Sequence, residues 1–312
     1  MLVAGIDVGG TNIEGGLVDD DHSVSSTRKV PTEDSVEAVL DAVQALVEDL
    51  DERPRAVGVG VPGVVADGRA VAMPNLEGWE PGTDVLGELE QRLDLPVALG
   101  NDAQVGLLGE WVAGEATDVD DVLGIWWGTG IGGGLVLDGR PYEGPTGAAG
   151  EVGHVQVRPE GAMCGCGRRG CLEAYAGRRM MSETARQMHE AGIRTRLFEL
   201  ADELDKPKPT SKVFVAALDE DDPVVTPLFD TAVETLGRAV GSLVNALGTQ
   251  LVVLGGGLPE KLGQDLADRV AEHARPVVLR GAEDLRVVAS SLGDDAGVVG
   301  AAWLARGALA RS

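Results

Sequence analysis

Every cysteine of the chain lies in one short run, Cys164-Gly-Cys166-Gly-Arg-Arg-Gly-Cys171. Three cysteines cannot all pair as disulfides, and a reducing compartment disfavours such bonds. The intervening glycines let the backbone turn tightly enough for three thiolates to converge on one ion. His154, ten residues before the first cysteine in Glu151-Val-Gly-His154, is the simplest fourth ligand. A Cys3His set with no open position reads as a structural Zn2+ site, the alternative being free thiols in a loop.

Two other patterns suit phosphate chemistry. Asp7-Val-Gly9-Gly10-Thr11-Asn12 ends an apolar run and turns at once into the next. Glycines in such a turn let backbone N–H groups approach phosphate oxygens, and Asp7 can hold Mg2+ through water. An ordinary hairpin turn is the competing reading. A second loop, Gly128-Thr129-Gly130-Ile-Gly-Gly-Gly, has the same character, and two such loops can grip one polyphosphate from both sides. Neither matches GxxxxGK[ST], nor GxGxxG opening a helix, so P-loop and Rossmann readings are weak. A third turn, Gly255-Gly256-Gly257, follows an apolar run and can admit a flat adenine ring. Asn101-Asp102 follows the apolar run 96–99 directly. An acid at the carboxyl end of a strand can take the proton of a hydroxyl that attacks a phosphate; a helix N-cap is the bland alternative.

The elements that must position these residues are legible in the hydrophobic pattern. Residues 2–8, 15–19, 56–61, 96–99, 251–254 and 286–289 read as strands. Residues 35–50, 224–247 and 296–310 carry apolar side chains at helical spacing, and 202–210 reads as a loop. The alternation is that of an α/β protein. An ungapped shift of 119 residues lays 3–19 on 122–138, with identities at Val3/Val122, Gly5/Gly124, Ile6/Ile125, Gly9/Gly128, Gly15/Gly134 and Asp19/Asp138. Two related α/β domains facing a cleft are the economical inference. The expected division is 1–118 plus a returning terminal helix at 296–312, and a larger domain over 119–295.

The 312 residues include 51 acidic against 26 basic ones, a net charge of −25. Such a field repels nucleic acid and anionic membranes alike. The acids are dispersed rather than gathered in a tail, and only five basic residues are lysine. This composition suits a protein kept soluble in concentrated salt, the alternative being a merely acidic enzyme. No apolar run reaches the length of a membrane span, and the N-terminus lacks the features of a signal peptide, so a cytoplasmic location is expected.

These pieces, in this order, resemble the ROK family of sugar kinases and repressors. The matching segments are DVGGTN at 7–12, GVPGVV at 60–65, PNLEGW at 74–79, ND at 101–102, GTGIGGG at 128–134, EVGH at 151–154, CGCGRRGCLE at 164–173 and LGGG at 254–257. The resemblance covers about residues 3–304 and is most specific in EVGH with CGCGRRGCLE. It implies the actin-like, hexokinase-type (ribonuclease H-like) fold, with sugar and ATP in the interdomain cleft. It also implies Asp102 as general base, with Asn101, Glu151, His154 and Glu173 on sugar hydroxyls and Gly63 and Asn75 as further sugar-side positions. The motif combination is most like the family's glucose kinases, which makes phosphorylation of a hexose at O6 by MgATP the expected activity. Kinases for N-acetylmannosamine or fructose are the alternative. A sugar-sensing repressor is disfavoured, because the first phosphate loop begins at residue 7 and the charge opposes DNA. Homo-oligomers, dimeric or tetrameric, are expected. One departure is Asn12, where many members carry Lys after GGT.

The charge has a direct consequence for stability. In dilute buffer the Debye length is roughly 10–30 Å, and acids repel across the whole surface. Thermal unfolding of the purified protein should move to higher temperature between dilute buffer and KCl on the order of 1 M. A Tm that falls or stays level across that series would count against salt adaptation.

Overall fold

A computed structural model describes residues 1–73, 77–80, 82–281 and 283–310. Asn75, one of the expected sugar-side positions, lies outside the described residues. The chain forms two compact units, one of residues 1–120, 134–150 and 291–312, the other of residues 121–133 and 151–290.

The first unit begins with β1 (Val3–Val8), β2 (Asn12–Val18) and β3 (Val24–Pro31), followed by α1 (Val36–Glu48) and β4 (Val57–Val61). A small antiparallel pair follows, β5 (Val64–Ala66) and β6 (Arg69–Ala72), then α2 (Val85–Leu93), β7 (Val97–Asn101) and α3 (Asp102–Ala113). The sheet order is β3-β2-β1-β4-β7, antiparallel through β1–β2–β3 and parallel through β1–β4–β7. The apolar face of α1, with Val39, Leu40, Val43 and Leu46, packs into the same core as Ile6, Val59 and Leu99. β3 escaped the hydrophobic pattern because its residues alternate between half-buried and exposed along a sheet edge, with no apolar run.

The second sheet repeats the plan. β8 (Val122–Trp127) and β9 (Ile131–Leu137) lie 119 residues beyond β1 and β2, at both ends of each strand. β10 (Arg140–Pro141) pairs with β9, and the sheet order is β10-β9-β8-β11-β12, where β11 is Leu251–Gly255 and β12 is Arg286–Ala289. The chain passes between the units within β9. Between β10 and β11 come the short α4 (Glu173–Ala176), then α5 (Arg178–Glu190), α6 (Leu197–Glu203), α7 (Ser211–Asp219) and the long α8 (Val225–Leu247). α9 (Gly257–Ala274) follows β11 and kinks at Gly263. The chain returns to the first unit in α10 (Asp295–Leu309). No helix among the described residues is long and apolar enough to cross a membrane.

α10 packs on β1, β4 and α3 at backbone distance. A Cβ on Gly5 would lie 1.8 Å from the carbonyl oxygen of Val298, and one on Gly58 equally close to that of Ala301. On the other side, a Cβ on Gly300 would lie 1.8 Å from the Val105 carbonyl oxygen, and one on Gly109 would lie 2.0 Å from that of Ala296. These contacts leave no room for a methyl group without backbone movement. Gly300→Ala should therefore destabilise the chain by about 1–3 kcal/mol, although alanine is the better helix former. Denaturant unfolding checks this, and a neutral or stabilising result would show that α10 sits looser than described.

Candidate functional site

In the first unit the chemistry gathers at the carboxyl ends of β1 and β7. Asn101 closes β7 and caps α3, its side-chain oxygen accepting from the Gln104 N–H at 3.0 Å. Its amide donates to the Gly63 carbonyl at 2.9 Å and to Asp102 Oδ1 at 3.0 Å. Asp102 is therefore not the cap but the first residue of α3, where the helix dipole favours a carboxylate. The Ala103 N–H donates to the same Oδ1 at 2.8 Å. The acid is thus held in one orientation by its neighbours. Gly63, at φ +134, must be glycine, since a Cβ there would lie 2.1 Å from the Ala72 carbonyl oxygen.

Asp7, next to last in β1, stands opposite Glu14 of β2, and Glu14 stands opposite Lys29 of β3. The Lys29 ammonium bridges Glu14 at 2.8 Å and Asp294, just before α10, at 2.9 Å. Asp7 Oδ1 is sealed from solvent and has no hydrogen-bond partner. Burial pushes its carboxyl up to about 8, the charges of Asp102, Glu14 and Asp294 push the same way, and Lys29 opposes them. A buried carboxyl among further acids, with an oxygen unpaired among the described residues, is costly to ionise unless a cation joins it. Beside it the turn Gly9-Gly10-Thr11-Asn12 is pinned by Gly9 N–H to the Asn12 carbonyl at 3.0 Å and by Thr32 Oγ1 donating to the Gly9 carbonyl at 2.7 Å. Gly10 faces open space on the side a Cβ would occupy. The Lys29 bridge escaped the sequence reading because its partners are 15 and 265 residues away.

In the second unit, His154, Cys164, Cys166 and Cys171 bring their ligand atoms within 4.8 Å of one another. His154 Nδ1 lies 3.8 Å from Cys164 Sγ, and Cys166 Sγ lies 3.7 Å from Cys171 Sγ. A tetrahedron with metal–sulfur bonds of ~2.3 Å has edges of roughly 3.8 Å, so the donor set fits a tetrahedral metal ion. Burial pushes the Cys164 thiol up to about 12. Burial also raises Cys166, but hydrogen bonds from Arg168 and the other thiols outweigh it and bring that thiol down to about 6. The other ring nitrogen of His154 faces Glu151, with Nε2 3.9 Å from Oε2.

The same loop runs into α4, whose first residue, Glu173, reaches the second glycine loop. Its Oε2 accepts the Ile131 N–H at 2.9 Å, and a Cβ on Gly130 would collide with that oxygen at 2.2 Å. Its Oε1 lies 3.9 Å from Cys164 Sγ. The buried Trp127 indole donates to the Ala176 carbonyl at 2.6 Å, fixing the end of α4 to β8. The Gly128–Thr129 turn is held further by Arg178 and Arg179, whose backbone N–H groups donate to the carbonyls of Gly128 and Thr129. At the third turn, Gly255 lies under the Trp126 ring, where a Cβ would be 2.7 Å from the indole, and Gly256 takes φ +86 to start α9. The sequence-predicted residues thus form one group around Asp7, Gly63, Asn101 and Asp102, and another around Glu151, His154, the cysteines, Glu173 and the turns at 128–130 and 255–257.

Three comparisons bear on this geometry. The sequence model described as the ROK family matches residues 3–308. A glucokinase of Streptomyces coelicolor is 33% identical over 315 residues, covering 98% of each chain. An N-acetylmannosamine kinase of Escherichia coli is 32% identical over 313 residues, covering 98% of this chain and 99% of that one. Among solved structures, a ROK family glucokinase from Streptomyces griseus in complex with glucose and AMPPNP superposes with a TM-score of 0.84 at 34% identity, covering 98% of this chain and all of that one.

The buried Asp7 carboxyl gives a pH signature. The folded chain keeps a proton that the unfolded chain releases near pH ~4, so Asp7 removes stability from the ligand-free protein as pH rises from about 4 to about 8. Asp7→Asn should match wild type in Tm near pH 4 and exceed it by a margin that widens up to pH 8. A constant difference across that range would show that Asp7 is ionised throughout.

Proposed function

The chain belongs to the ROK family, with the actin-like, hexokinase-type fold, and from that premise we propose that it is a glucokinase, transferring the γ-phosphoryl group of ATP to O6 of glucose. The observation that carries this reading is the Asp102 carboxylate, fixed at the carboxyl end of β7 in a chain similar to glucokinases over 98% of its length.

Asp102 orients the sugar hydroxyl and accepts its proton as the oxygen attacks phosphorus. Alignment matters more than basicity, because the transition state is largely dissociative. Asn101, Gly63, Glu151, His154 and Glu173 offer acceptors and donors to the other sugar hydroxyls, with Asn75 as a further candidate. His154 serves two tasks with its two ring nitrogens, Nδ1 turned to the cysteines and Nε2 toward Glu151. Gly9, Gly10, Thr11 and Asn12, with Gly128, Thr129 and Gly130, form the two turns that face the phosphates, and Gly255–Gly257 lies against the adenine. Asp7 is the residue to hold Mg2+ through water, and the ion when bound would offset phosphate charge. His154, Cys164, Cys166 and Cys171 would hold Zn2+, which when bound would fix the loop that delivers Glu173. A cytoplasmic, salt-adapted homo-oligomer is part of the same reading. The similarity to an N-acetylmannosamine kinase favours that sugar as the second choice.

A panel of sugars assayed with ATP in high-KCl buffer tests the assignment. Glucose should exceed N-acetylmannosamine, fructose and galactose by at least about tenfold in kcat/KM, since a polar site left without its hydroxyl partner loses that much. Preference for N-acetylmannosamine would replace the sugar and leave the kinase. Asp102→Asn should lower kcat by about 10²–10⁴ while glucose still binds. A variant keeping more than a third of wild-type kcat would remove Asp102 as the base.

Elemental analysis of protein purified without chelator should find one zinc per chain. Stripping it should raise KM for glucose and lower Tm together, because the same loop carries Glu173. Zinc-free protein of full activity and stability would sink the structural-metal assignment.

A further inference from the structure

Arg178 is a cation to which no described residue brings an anion. It opens α5 beside the Gly128–Gly130 turn, half-buried, in a chain whose acids outnumber its bases about two to one. No carboxylate pairs with it among the described residues. Its guanidinium donates instead to two neutral oxygens, Thr129 Oγ1 at 2.8 Å and the carbonyl of Pro209. Its Nε is sealed from solvent and has no partner. Burial, with no opposing charge, pushes the guanidinium below its ordinary value. Keeping a positive charge in such surroundings is costly unless an anion completes it.

A second orphan lies next to the first. Thr210 follows the Pro209 that Arg178 holds, and its hydroxyl is also buried without a partner. It stands just before α7 yet makes no side-chain cap to that helix. The next residue, Ser211, brings its hydroxyl to 2.6 Å from where a Cβ on Gly257 would stand. The 209–211 segment therefore touches Arg178 on one side and the third glycine turn on the other. Three of the chain's five lysines, Lys206, Lys208 and Lys212, fall in or beside this segment. The backbone N–H groups of Arg178 and Arg179 are occupied by carbonyls of the turn, so what Arg178 can offer a ligand is its side chain.

We infer that Arg178, with Thr210, is a clamp for the phosphate chain of the phosphoryl donor at the Gly128–Gly130 turn. The inference rests on the reading of that turn as the donor site. It assigns to Arg178 the charged phosphate contact that Asn12 cannot provide. A planar fork matches phosphate oxygens in pairs, which lysine does not reproduce.

Calorimetric titration of wild type, Arg178→Ala and Arg178→Lys with adenosine, ADP, tripolyphosphate and glucose tests it. In Arg178→Ala, ADP should bind about 10–100-fold more weakly, while adenosine and glucose stay within about twofold. Arg178→Lys should fall between the two and keeps the test open if the alanine variant does not fold. Equal loss for tripolyphosphate would mean that any phosphate chain is read there; loss confined to ADP would mean a nucleotide's phosphates only. Unchanged ADP affinity, or equal loss for adenosine and ADP, would overturn the clamp and leave Arg178 as a tie between two loops. Wild-type protein that binds neither adenosine nor ADP nor tripolyphosphate would overturn both the clamp and the donor site on which it rests.

Discussion

The close approach of backbone to backbone around α10 governs the first unit. Gly5 and Gly58 let the helix lie directly on adjacent strands, while Gly109 and Gly300 bring it against α3. Gly297, in the same helix, leaves the space that the Asp7 carboxylate fills, where a Cβ would be 2.5 Å from Oδ2. The contact therefore does more than fill a core. It sets α3, whose first residue is Asp102, and the segment before α10, whose Asp294 meets Lys29. Glu110 reinforces the arrangement, accepting from the Leu292 N–H at 2.9 Å and from Ser291 Oγ at 3.2 Å. A fully buried carboxylate holding that segment leaves little freedom in where the acids stand.

Each unit holds one buried ionisable group that lacks a counter-ion among the described residues. Around Asp7 four carboxylates share one ammonium, and an oxygen remains without a donor. Around Arg178, among the described residues, the guanidinium is held by neutral oxygens. Neither condition favours the ligand-free protein: Asp7 must keep a proton up to about pH 8 to stay neutral, and Arg178 keeps a half-buried charge on neutral acceptors.

Glu173 ties the cysteine loop to the Gly128–Gly130 turn. One of its oxygens takes the Ile131 N–H of the turn, and the other lies near a cysteine of the cluster. A side chain assigned to sugar hydroxyls from its motif thus also fixes a backbone amide of the glycine loop. Disorder in the cysteine loop would reach both at once. This is a physical reason for the two motifs, far apart in chemistry, to sit within one stretch of chain.

The sequence by itself determined whatever depends on near neighbours. Apolar runs interrupted by glycine located β1, β2, β8 and β9, and the shift of 119 residues between them is the shift observed in the strands. The cysteine cluster was legible because its ligands span few residues and glycines leave the loop one compact way to close. Asn101-Asp102 was legible because a strand end followed by a helix start fixes where such side chains stand. Tertiary structure alone decided the rest. β3 carries no apolar run, so only pairing with β2 reveals it, and with it Lys29 opposite Glu14. Arg178 reads as one more surface arginine until Thr129 and Pro209, 49 and 31 residues away, close around it. Spacing along a chain says which groups can meet within a turn. Register and packing say which meet across the fold, and those contacts set the charges at Asp7 and Arg178.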